Sequence, residues 1–408
     1  MGILTGMFTA VTGLNSYGNA MSVIGNNIAN VGTAGFKSSR ASFAELVSAS
    51  LAGGSGSNQI GLGVFLNDVQ ANFAQGSMTT TGNTFDLAID GNGFYLLRDS
   101  AGSGFYSRDG QFKVNNLGQV INGGGFLLQG YQADTSGNIT NTISNITLTS
   151  NAVAPQVTST AAIRANLDAN ATAPTGAFSV TDPTTYNFST GMSVYDSLGN
   201  AQQLRLYFVK SSTANTWNLY SQVGSAAAVA RTNLVFNSSG VLTSGGSQAM
   251  SLVIPGGATT PQSVTVDFSN MSQFGSPSGV IDQTQNGFAS GTLDRISVDS
   301  QGRVVAQFSN GQTRALAQVV LNRFINPDGL VKGGENMFIE SIESGAPLSG
   351  APTTNGLGKV VSGAVEQSNV DLGKEFVDMI ITQRAFQANS RAITTSDEML
   401  QELVNLKR

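Results

Sequence analysis

The strongest constraint on the fold of this chain is a heptad repeat of apolar residues near its N-terminus. Apolar or small side chains recur at alternating intervals of four and three residues, which places them along one stripe of an α-helix. Gly32 and Gly35 follow as stop signals. We therefore predict an amphipathic helix that ends near Asn30, and not a membrane span. The stripe consists of Ile3, Met7, Ala10, Leu14, Tyr17, Met21, Ile24 and Ile28.

This helix is expected to be weak when it is alone. Five glycines lie in it or beside it: Gly2, Gly6, Gly13, Gly18 and Gly25. Each interior glycine costs about 1 kcal/mol of helix stability relative to alanine, and short isolated helices are marginal even without glycine. We predict that the segment becomes helical only against a partner, which its small residues allow to approach closely.

The C-terminal segment shows a second heptad pattern. Its apolar row is Met379, Phe386, Ile393 and Leu400, and the companion row that we assign is Phe376, Gln383, Ser390, Asp397 and Val404. The segment has no proline, so we predict a helix from about Val370 to Leu406. The two terminal helices could be surface helices on a globular core. The alternative, which we favour, is that both ends form one coiled coil, within the chain or with neighbouring subunits.

The segment between about Gly63 and Phe338 reads as short β-strands separated by turns. The clearest strand candidates are Phe94–Leu97, Leu204–Val209, Trp217–Val223, Val264–Phe268, Val304–Phe308 and Val319–Phe324. A recurring turn has Asp or Asn at its first position and Gly three residues later, where a positive φ is required. We assign it to Asn115–Gly118, Asp134–Gly137, Asp196–Gly199, Asn237–Gly240, Asp299–Gly302 and Asn326–Gly329.

Composition shifts predict nested domains. Ser, Thr, Ala and Gly dominate from about 145 to 283, with strand-rich sequence on both sides. We predict a mixed, mainly β fold whose discontinuous β domains resemble sandwiches or barrels, with a coiled coil of the two terminal helices. The expected parts are 1–30 with 370–408 (helical), 31–70 with 358–369 (connecting), 71–144 with 284–357 (inner β) and 145–283 (outer β).

Composition also excludes several functional classes. The 408 residues include neither Cys nor His, which excludes Cys/His zinc sites, thiol nucleophiles, His-dependent triads and disulfides. The 20 Lys and Arg residues are scattered, so no basic stripe predicts nucleic-acid binding. No apolar run reaches the ~18 residues of a membrane span. The first charged residue is Lys37, so a secretory signal with a basic start is not expected.

Catalysis has weak support in this sequence. Asp86 with Asp90, or Glu340 with Glu343, could form a carboxylate pair for glycoside hydrolysis, but only proximity in the sequence suggests it. The Asx–Gly turns carry too few carboxylates for calcium loops. We expect no catalytic, cofactor-binding or metal-binding residues. A carboxylate-dependent hydrolase and a secreted β-rich adhesin remain as alternatives from other functional classes.

Several motifs together resemble those of the bacterial flagellar rod and hook proteins. The segment Gly25–Lys37 contains Asn-Asn-Ile-Ala-Asn followed by a Gly-Phe-Lys turn. Asp86–Phe94 and Tyr106–Phe112 resemble the start of the β domain that this family shares. The C-terminal matches are Ser368–Leu372, Gln383–Arg391 and Thr394–Leu400. The resemblance is closer to hook subunits than to the shorter distal rod proteins, because 145–283 has the position of an outer domain.

The resemblance implies a structural subunit, not an enzyme. It implies a homopolymer that forms a curved tube and transmits torque from rod to filament. Implied partners are further copies of the chain, the flagellar rod, hook cap and hook–filament junction proteins, and the flagellar export apparatus. The implied location is the hook, outside the cell, after export without a cleaved signal. Terminal deletion would abolish polymerisation in this interpretation and would spare binding or catalysis in the alternatives.

The implied assembly residues lie on the two terminal helices. Asn26, Asn27 and Asn30 are expected to act either as helix-end caps or as inter-subunit hydrogen-bond donors. Lys37 is expected to donate to a neighbouring carbonyl group. The full predicted assembly interface is Ile3, Met7, Ala10, Leu14, Tyr17, Met21, Ile24, Asn26, Asn27, Ile28, Asn30, Phe376, Met379, Phe386, Ile393, Leu400 and Val404.

Overall fold

A computed structural model describes residues 2–46, 49–50, 59–148, 152–254 and 256–405. Two α-helices stand at the two ends of this range: α1 (Gly2–Ala29) and α2 (Leu372–Asn405). Both predicted terminal helices are thereby confirmed, and so is the mixed, mainly β character of the fold. Leu406, where α2 was predicted to end, lies outside the described residues, as does the side chain of Ile3.

Short strands fill most of the chain between the two helices. Those before residue 149 are β1 (Ser39–Glu45), β2 (Ala49–Ser50), β3 (Gln59–Ile60), β4 (Val64–Ala71), β5 (Met78–Thr80), β6 (Leu87–Asp90), β7 (Phe94–Arg98), β8 (Gly104–Ser107), β9 (Lys113–Val114), β10 (Val120–Ile121), β11 (Leu127–Ala133) and β12 (Ile139–Asn145).

The next strands are β13 (Ala152–Val153), β14 (Thr160–Asp168), β15 (Phe188–Tyr195), β16 (Ala201–Lys210), β17 (Thr216–Val223), β18 (Val229–Ala230), β19 (Leu234–Phe236), β20 (Leu242–Ser244), β21 (Ser247–Leu252), β22 (Gln262–Asp267), β23 (Ser272–Phe274), β24 (Gly279–Gln285) and β25 (Gly291–Val298).

The last strands are β26 (Arg303–Phe308), β27 (Thr313–Val319), β28 (Leu321–Arg323), β29 (Val331–Gly334), β30 (Met337–Ile339), β31 (Leu348–Gly350), β32 (Lys359–Ser362) and β33 (Ala364–Glu366). Two single 3₁₀ turns, Pro183–Thr185 and Pro327–Gly329, complete the described elements.

The chain forms two compact units. Unit 1 comprises 1–149, 296–306 and 314–408, and unit 2 comprises 150–295 and 307–313. In unit 1, β11, β7, β8, β30 and β29 are neighbours in one antiparallel sheet. Its aromatic core includes Phe94, Tyr106, Phe324 and Phe338, which are all buried. The predicted division into four nested parts is finer than these two units, and its boundaries remain a prediction.

The segment that precedes α2 pairs with strands from the N-terminal part of unit 1. Strand β32 pairs antiparallel with β6, and β33 pairs antiparallel with β5. Residues 78–90 and 359–366 therefore meet in two short two-stranded sheets, although more than 260 residues separate them in the sequence. Strands β1 and β4 form a hairpin that packs on α1, where Ser16 Oγ donates to the Val64 carbonyl at 3.2 Å.

Unit 2 contains two packed sheets. One contains β21, β22, β14, β23 and β24, and the other contains β15, β16, β17, β18, β19 and β20. Alternate residues of the long strands are buried, as in β22, which is the pattern of a sheet with one face in a core. Buried side chains from both sheets, among them Ile163, Phe208 and Trp217, form a single cluster. This arrangement is a β-sandwich.

Five of the six predicted Asx–Gly turns are confirmed. In each, the glycine has a positive φ and its N–H donates to the carbonyl of the Asx residue three positions earlier. Asn326–Gly329 differs, since Pro327 starts a 3₁₀ turn that has no side-chain cap. The single strand predicted at Val319–Phe324 is also wrong. Val320 separates β27, which pairs with β11, from β28, which pairs with β7. Because the side chains are buried continuously across this point, the sequence gives no sign that the strand changes its partner.

Gly35 terminates the turn that follows α1. Its φ is +68°, and a Cβ atom at this position would lie 2.4 Å from the backbone nitrogen of Asp109. Its N–H donates to the carbonyl of Glu366 at 2.8 Å. Only glycine combines this conformation with so close a backbone contact.

We predict that Gly35→Ala lowers the free energy of unfolding of unit 1 by about 2–4 kcal/mol, because both the φ and the contact become unfavourable. Urea denaturation measures the change. Gly32→Ala is the control in the same turn, since no atom lies within 4 Å of the added methyl, and it is expected to change stability by less than about 1 kcal/mol. Equal losses of unfolding free energy in Gly35→Ala and Gly32→Ala would contradict the requirement for glycine at position 35.

Candidate assembly interface

The two terminal helices pack against each other in antiparallel orientation. A Cβ atom added to Gly13 would lie 2.9 Å from Asn389 Oδ1, and one added to Gly18 would lie 4.0 Å from the Phe386 ring. Further along α1, Asn27 Nδ2 donates to Glu375 Oε1 at 3.1 Å. As residue numbers increase along α1, the residue numbers of the contacted positions on α2 therefore decrease. The helix glycines allow close approach at the expense of α1's intrinsic stability.

The predicted stripe of α1 borders the buried face of the helix and coincides with it only at Ala10, since the other buried positions are Gly13, Ser16, Ala20 and Asn27. Ala10 is buried, and the other described stripe side chains are half-buried: Met7, Leu14, Tyr17, Met21, Ile24 and Ile28. Tyr17 contacts the β1–β4 hairpin, since the centroids of the Tyr17 and Phe43 rings are 5.7 Å apart. No helix among the described residues has the length and hydropathy of a membrane span.

On α2 the predicted row Met379, Phe386, Ile393 and Leu400 is half-buried, but the companion row is wrong by one residue. The inward row is Glu375, Thr382, Asn389 and Ser396, whereas Phe376 and Val404 are 51% and 68% exposed. Local bonds make polar residues tolerable there, since Ser396 Oγ donates to the Ala392 carbonyl. The apolar residues Phe376 and Val404 made their row the better candidate for the inward face. In the structure the polar row that contains Glu375 faces inward instead.

The helix pair exposes two apolar patches. The α1 patch consists of Leu4, Phe8 and Val11, and the α2 patch consists of Phe376, Val377, Ile380 and Ile381. Phe8 is 63% exposed and Ile381 is 58% exposed, although both residue types are usually buried. Because the helices are antiparallel, the α1 patch lies beside the second half of α2. The two patches are therefore at opposite ends of the helix pair.

The three asparagines at the end of α1 have different roles. Asn30 Nδ2 donates to the Asn26 carbonyl at 3.0 Å, which is a helix-end cap. Asn27 is only 1% exposed, and its amide bonds both backbone groups of Ser39 as well as Glu375. The predicted inter-subunit role is therefore wrong for Asn27, because its donors are used inside the chain. Asn26 is exposed and remains a proposed interface residue.

A buried charged cluster lies where the helices leave the β-sheet of unit 1. Lys37 Nζ and Glu366 Oε1 are 2.6 Å apart, and both side chains are 0% exposed. Lys37 Nζ also donates to the Ala74 carbonyl at 2.8 Å, as expected from the sequence. Arg108 Nη1 lies 3.2 Å from Glu366 Oε2. We call Lys37, Arg108, Glu366 and the adjacent Asn369 the terminal joint.

The electrostatics of the terminal joint are dominated by burial. Burial lowers the pKa of Lys37, although the bond to Glu366 acts in the opposite direction, and burial likewise lowers the pKa of Arg108. Arg108 stays charged at any physiological pH. Sequence analysis missed this cluster because its members are up to 329 positions apart. One available signal was the isolated Lys37 after 36 uncharged residues.

Three of the four carboxylates considered for hydrolysis, those of Asp86, Asp90 and Glu340, have structural partners. Asp86 accepts from Thr81 Oγ1 at 2.6 Å, and Asp90 Oδ2 lies 3.1 Å from Lys359 Nζ. Glu340 accepts from the Tyr106 hydroxyl at 2.9 Å. Among the described residues, no group of three or more Asp or Glu side chains is arranged to hold a metal ion. The carboxylates thus serve turns and sheet edges in this fold.

Four family models match successive parts of the chain. They are described as flagella basal body rod protein (residues 7–37), flagellar hook protein FlgE/F/G D1 domain (88–165), flagellar basal body protein FlaE D2 domain (166–288) and flagellar basal body rod FlgEFG protein C-terminal (361–406). The matched segments together cover more than half of the chain.

Curated relatives match over nearly the full length. The flagellar hook protein FlgE of Salmonella typhimurium is 38% identical over 407 residues, which cover 98% of this chain and 99% of the relative. That of Escherichia coli is 39% identical over 413 residues, with the same coverage. The crystal structure of Helicobacter pylori flagellar hook protein FlgE2 aligns with a TM-score of 0.54 at 13% identity, covering 69% of this chain and 98% of that one. This last similarity concerns the fold alone.

Asp109, which follows Arg108, provides a pH test of the packing at the terminal joint. Burial raises its pKa above the ordinary 3.8, the N–H of Gln111 partly offsets this, and the charge of Asp86 adds to it. A raised pKa means that the folded state favours the protonated form. We expect the stability of the wild type relative to Asp109→Asn to be greatest below pH 3.8 and to fall as pH rises through the raised pKa.

Urea denaturation of both proteins between about pH 3 and pH 8 measures this difference. Asp134→Asn is the control of opposite sign, because hydrogen bonds from Asn138 lower the pKa of Asp134. The stability of the wild type relative to Asp134→Asn should decrease as pH falls. If the stability difference between the wild type and Asp109→Asn does not change with pH, burial does not disfavour the ionised form of this carboxyl group.

Proposed function

The chain belongs to the flagellar hook protein family, and we propose that its copies assemble into the hook, a curved tube that transmits motor torque from the rod to the filament. The observation that carries this proposal is the pair of exposed apolar patches on the terminal helices. Such surfaces are unfavourable in water unless another surface covers them. Residues 1–36 contain no charged side chain, which suits burial of α1 between subunits.

The positions of the patches favour an open polymer. Since Gly13 faces Asn389, Phe8 lies near the second half of α2, roughly 20 Å from the α2 patch at 1.5 Å per residue. One copy cannot cover its own α2 patch with its α1 patch, but a second copy can. A contact between different surfaces is heterologous, and repeating it produces a ring or a helical tube. A tube is the outcome that the hook requires.

A groove beside α2 offers room for the neighbouring helix. It has a volume of about 540 Å³ and lies between α1, α2 and the β1–β4 hairpin, with charged side chains such as Arg40 and Lys374 in its lining. Its apolar lining includes Tyr17, Phe43 and Ile381, of which Ile381 belongs to the α2 patch. We propose that the α1 patch of the next copy packs along this groove. The terminal helices would then line the tube, and the β domains would form its outer layers.

Low surface charge suits a joint that bends as it rotates. The three ion pairs outside the terminal joint among the described residues all involve partly exposed side chains. Exposed pairs contribute little and are screened by salt. We propose that contacts between outer domains slide without forming fixed ion pairs. Strong stiffening of polymerised hooks at low ionic strength would contradict this idea.

The partner proteins, the export route and the remaining interface residues are part of the same proposal. We infer that the chain contacts rod, hook-cap and hook–filament junction proteins, and that the flagellar export apparatus carries it out of the cell without a cleaved signal. The remaining predicted interface residues, including Phe376 and Val404, are proposed to contact neighbouring copies. For Phe376 and Val404, exposure of the side chain in a single chain supports this role.

We predict that Ile380→Ser raises the protein concentration needed for tube formation about tenfold or more. Ile380 is 50% exposed within the α2 patch, and covering such a side chain stabilises a contact by about 1–2 kcal/mol. Sedimentation and negative-stain microscopy at increasing protein concentration measure the threshold, and circular dichroism verifies that the single chain remains folded.

Ile342→Ser is the matched control, because Ile342 is fully exposed in unit 1 outside both patches. Its threshold should equal that of the wild type. Equal thresholds for all three proteins would remove the α2 patch from the assembly interface. A wild type that forms no tubes at any concentration, even with pre-formed hook ends as seeds, would contradict self-assembly itself.

A further inference from the structure

The terminal joint connects four segments that are distant in the sequence. Glu366 accepts from Lys37, Arg108 and the N–H of Gly76, while its own carbonyl accepts from Gly35. The segment after α1, the strand before α2, the entry to β5 and the end of β8 therefore meet at one carboxylate. Few other side chains could accept this many donors at one point.

Asn369, three residues after Glu366, binds the same segments. Its Oδ1 accepts from the N–H of Ser38 at 2.8 Å, and its Nδ2 donates to the carbonyls of Asn72 and Ala74 at 2.7 and 3.0 Å. Lys37 shares the Ala74 carbonyl. The backbone after α1 and before β5 is thus held by side chains from the segment that precedes α2.

The charges of the terminal joint make Glu366 indispensable. Among the described residues, the buried cations Lys37 and Arg108 both pair with the carboxylate of Glu366, and Arg108 Nη2 also donates to the carbonyl of Gly91 at 2.9 Å. Removing one partner of a buried pair leaves an uncompensated charge, which is far more costly than losing an exposed pair. Water would relieve that cost by entering, and this requires the segments to separate.

We propose that Glu366 is a positioning residue that fixes both terminal helices to the β-sheet of unit 1. Loss of its charge opens the terminal joint and frees α1 and α2 while the sheet remains folded. In an assembled tube, the helices and the sheet of each subunit would then no longer move as one body. This consequence for torque rests on the proposed function, whereas the opening itself is a property of the single chain.

Trypsin sites on both sides of the terminal joint make the opening measurable. Arg40 lies in β1 and Lys374 in the first turn of α2, and both are exposed, while Arg98 and Lys113 are exposed sites in the sheet region. In the full-length protein below its polymerisation threshold, we expect Glu366→Gln to accelerate cleavage at Arg40 and Lys374 at least tenfold. Cleavage at Arg98 and Lys113 should change less than threefold. Mass spectrometry assigns each site.

A matched core variant distinguishes positioning from general destabilisation. Val320→Ala removes a fully buried side chain of the unit 1 core, outside the terminal joint. Urea is added until the two variants have equal unfolding free energies, and the ratio of cleavage at Arg40 and Lys374 to cleavage at Arg98 and Lys113 is then compared. The ratio should rise only for Glu366→Gln. Equal ratios in the two variants would overturn the proposal.

If Glu366→Gln fails to fold, Asn369→Ala replaces it. This variant removes three hydrogen bonds of the terminal joint without leaving a buried charge unpaired, so we expect a smaller rise in the cleavage ratio, about threefold. An unchanged ratio in a folded Asn369→Ala protein would then overturn the proposal. Rapid cleavage at Arg40 and Lys374 already in the wild type would overturn it as well, since the helices would not be fixed. Tube formation by the wild type is measured in a separate experiment, so a failure of the proposed function can be distinguished from a failure of this proposal.

Discussion

One buried carboxylate, that of Glu366, connects the two ends of this chain. It compensates Lys37 and Arg108 in a site from which water is excluded. A buried ion pair is a poor source of net stability, since desolvation cancels much of the attraction. Its value is specificity, because the three charges are tolerated only when all of them meet. The helices can therefore leave the sheet in one arrangement, and other arrangements would bury an unpaired charge.

The terminal helices have the opposite character. Glycines and exposed apolar side chains weaken α1, and its packing against α2 places small or polar groups such as Gly13 and Asn389 in contact. Much of their stability must come from contacts that a single chain does not make. A firmly held joint beside incompletely buried helices is consistent with a subunit that keeps its β-sheet folded and completes its helical part on assembly.

The sequence was most informative where local physics dominates. Heptad spacing predicted α1 and α2, and Asx–Gly chemistry predicted turns such as Asp299–Gly302, because both depend on residues close together in the chain. It failed for the companion row of α2, since Glu375 and Phe376 are adjacent and only tertiary contacts decide which one turns inward. It failed also at Val320, where burial is continuous but the strand partner changes. The terminal joint was beyond local reasoning, because Lys37 and Glu366 meet only through the pairing of β33 with β5.

The scarcity of charge links these observations. A tube made from many copies repeats every surface charge many times, so a charged residue on α1 would enter the contact with the next copy at every repeat. Residues 1–36 avoid this by carrying none. The first charge in the chain, Lys37, is placed where a carboxylate and a backbone carbonyl both accept hydrogen bonds from it. The same chain thus keeps charge off α1, the helix proposed to pack against a neighbouring copy, and buries its first charged side chain where the two terminal segments meet.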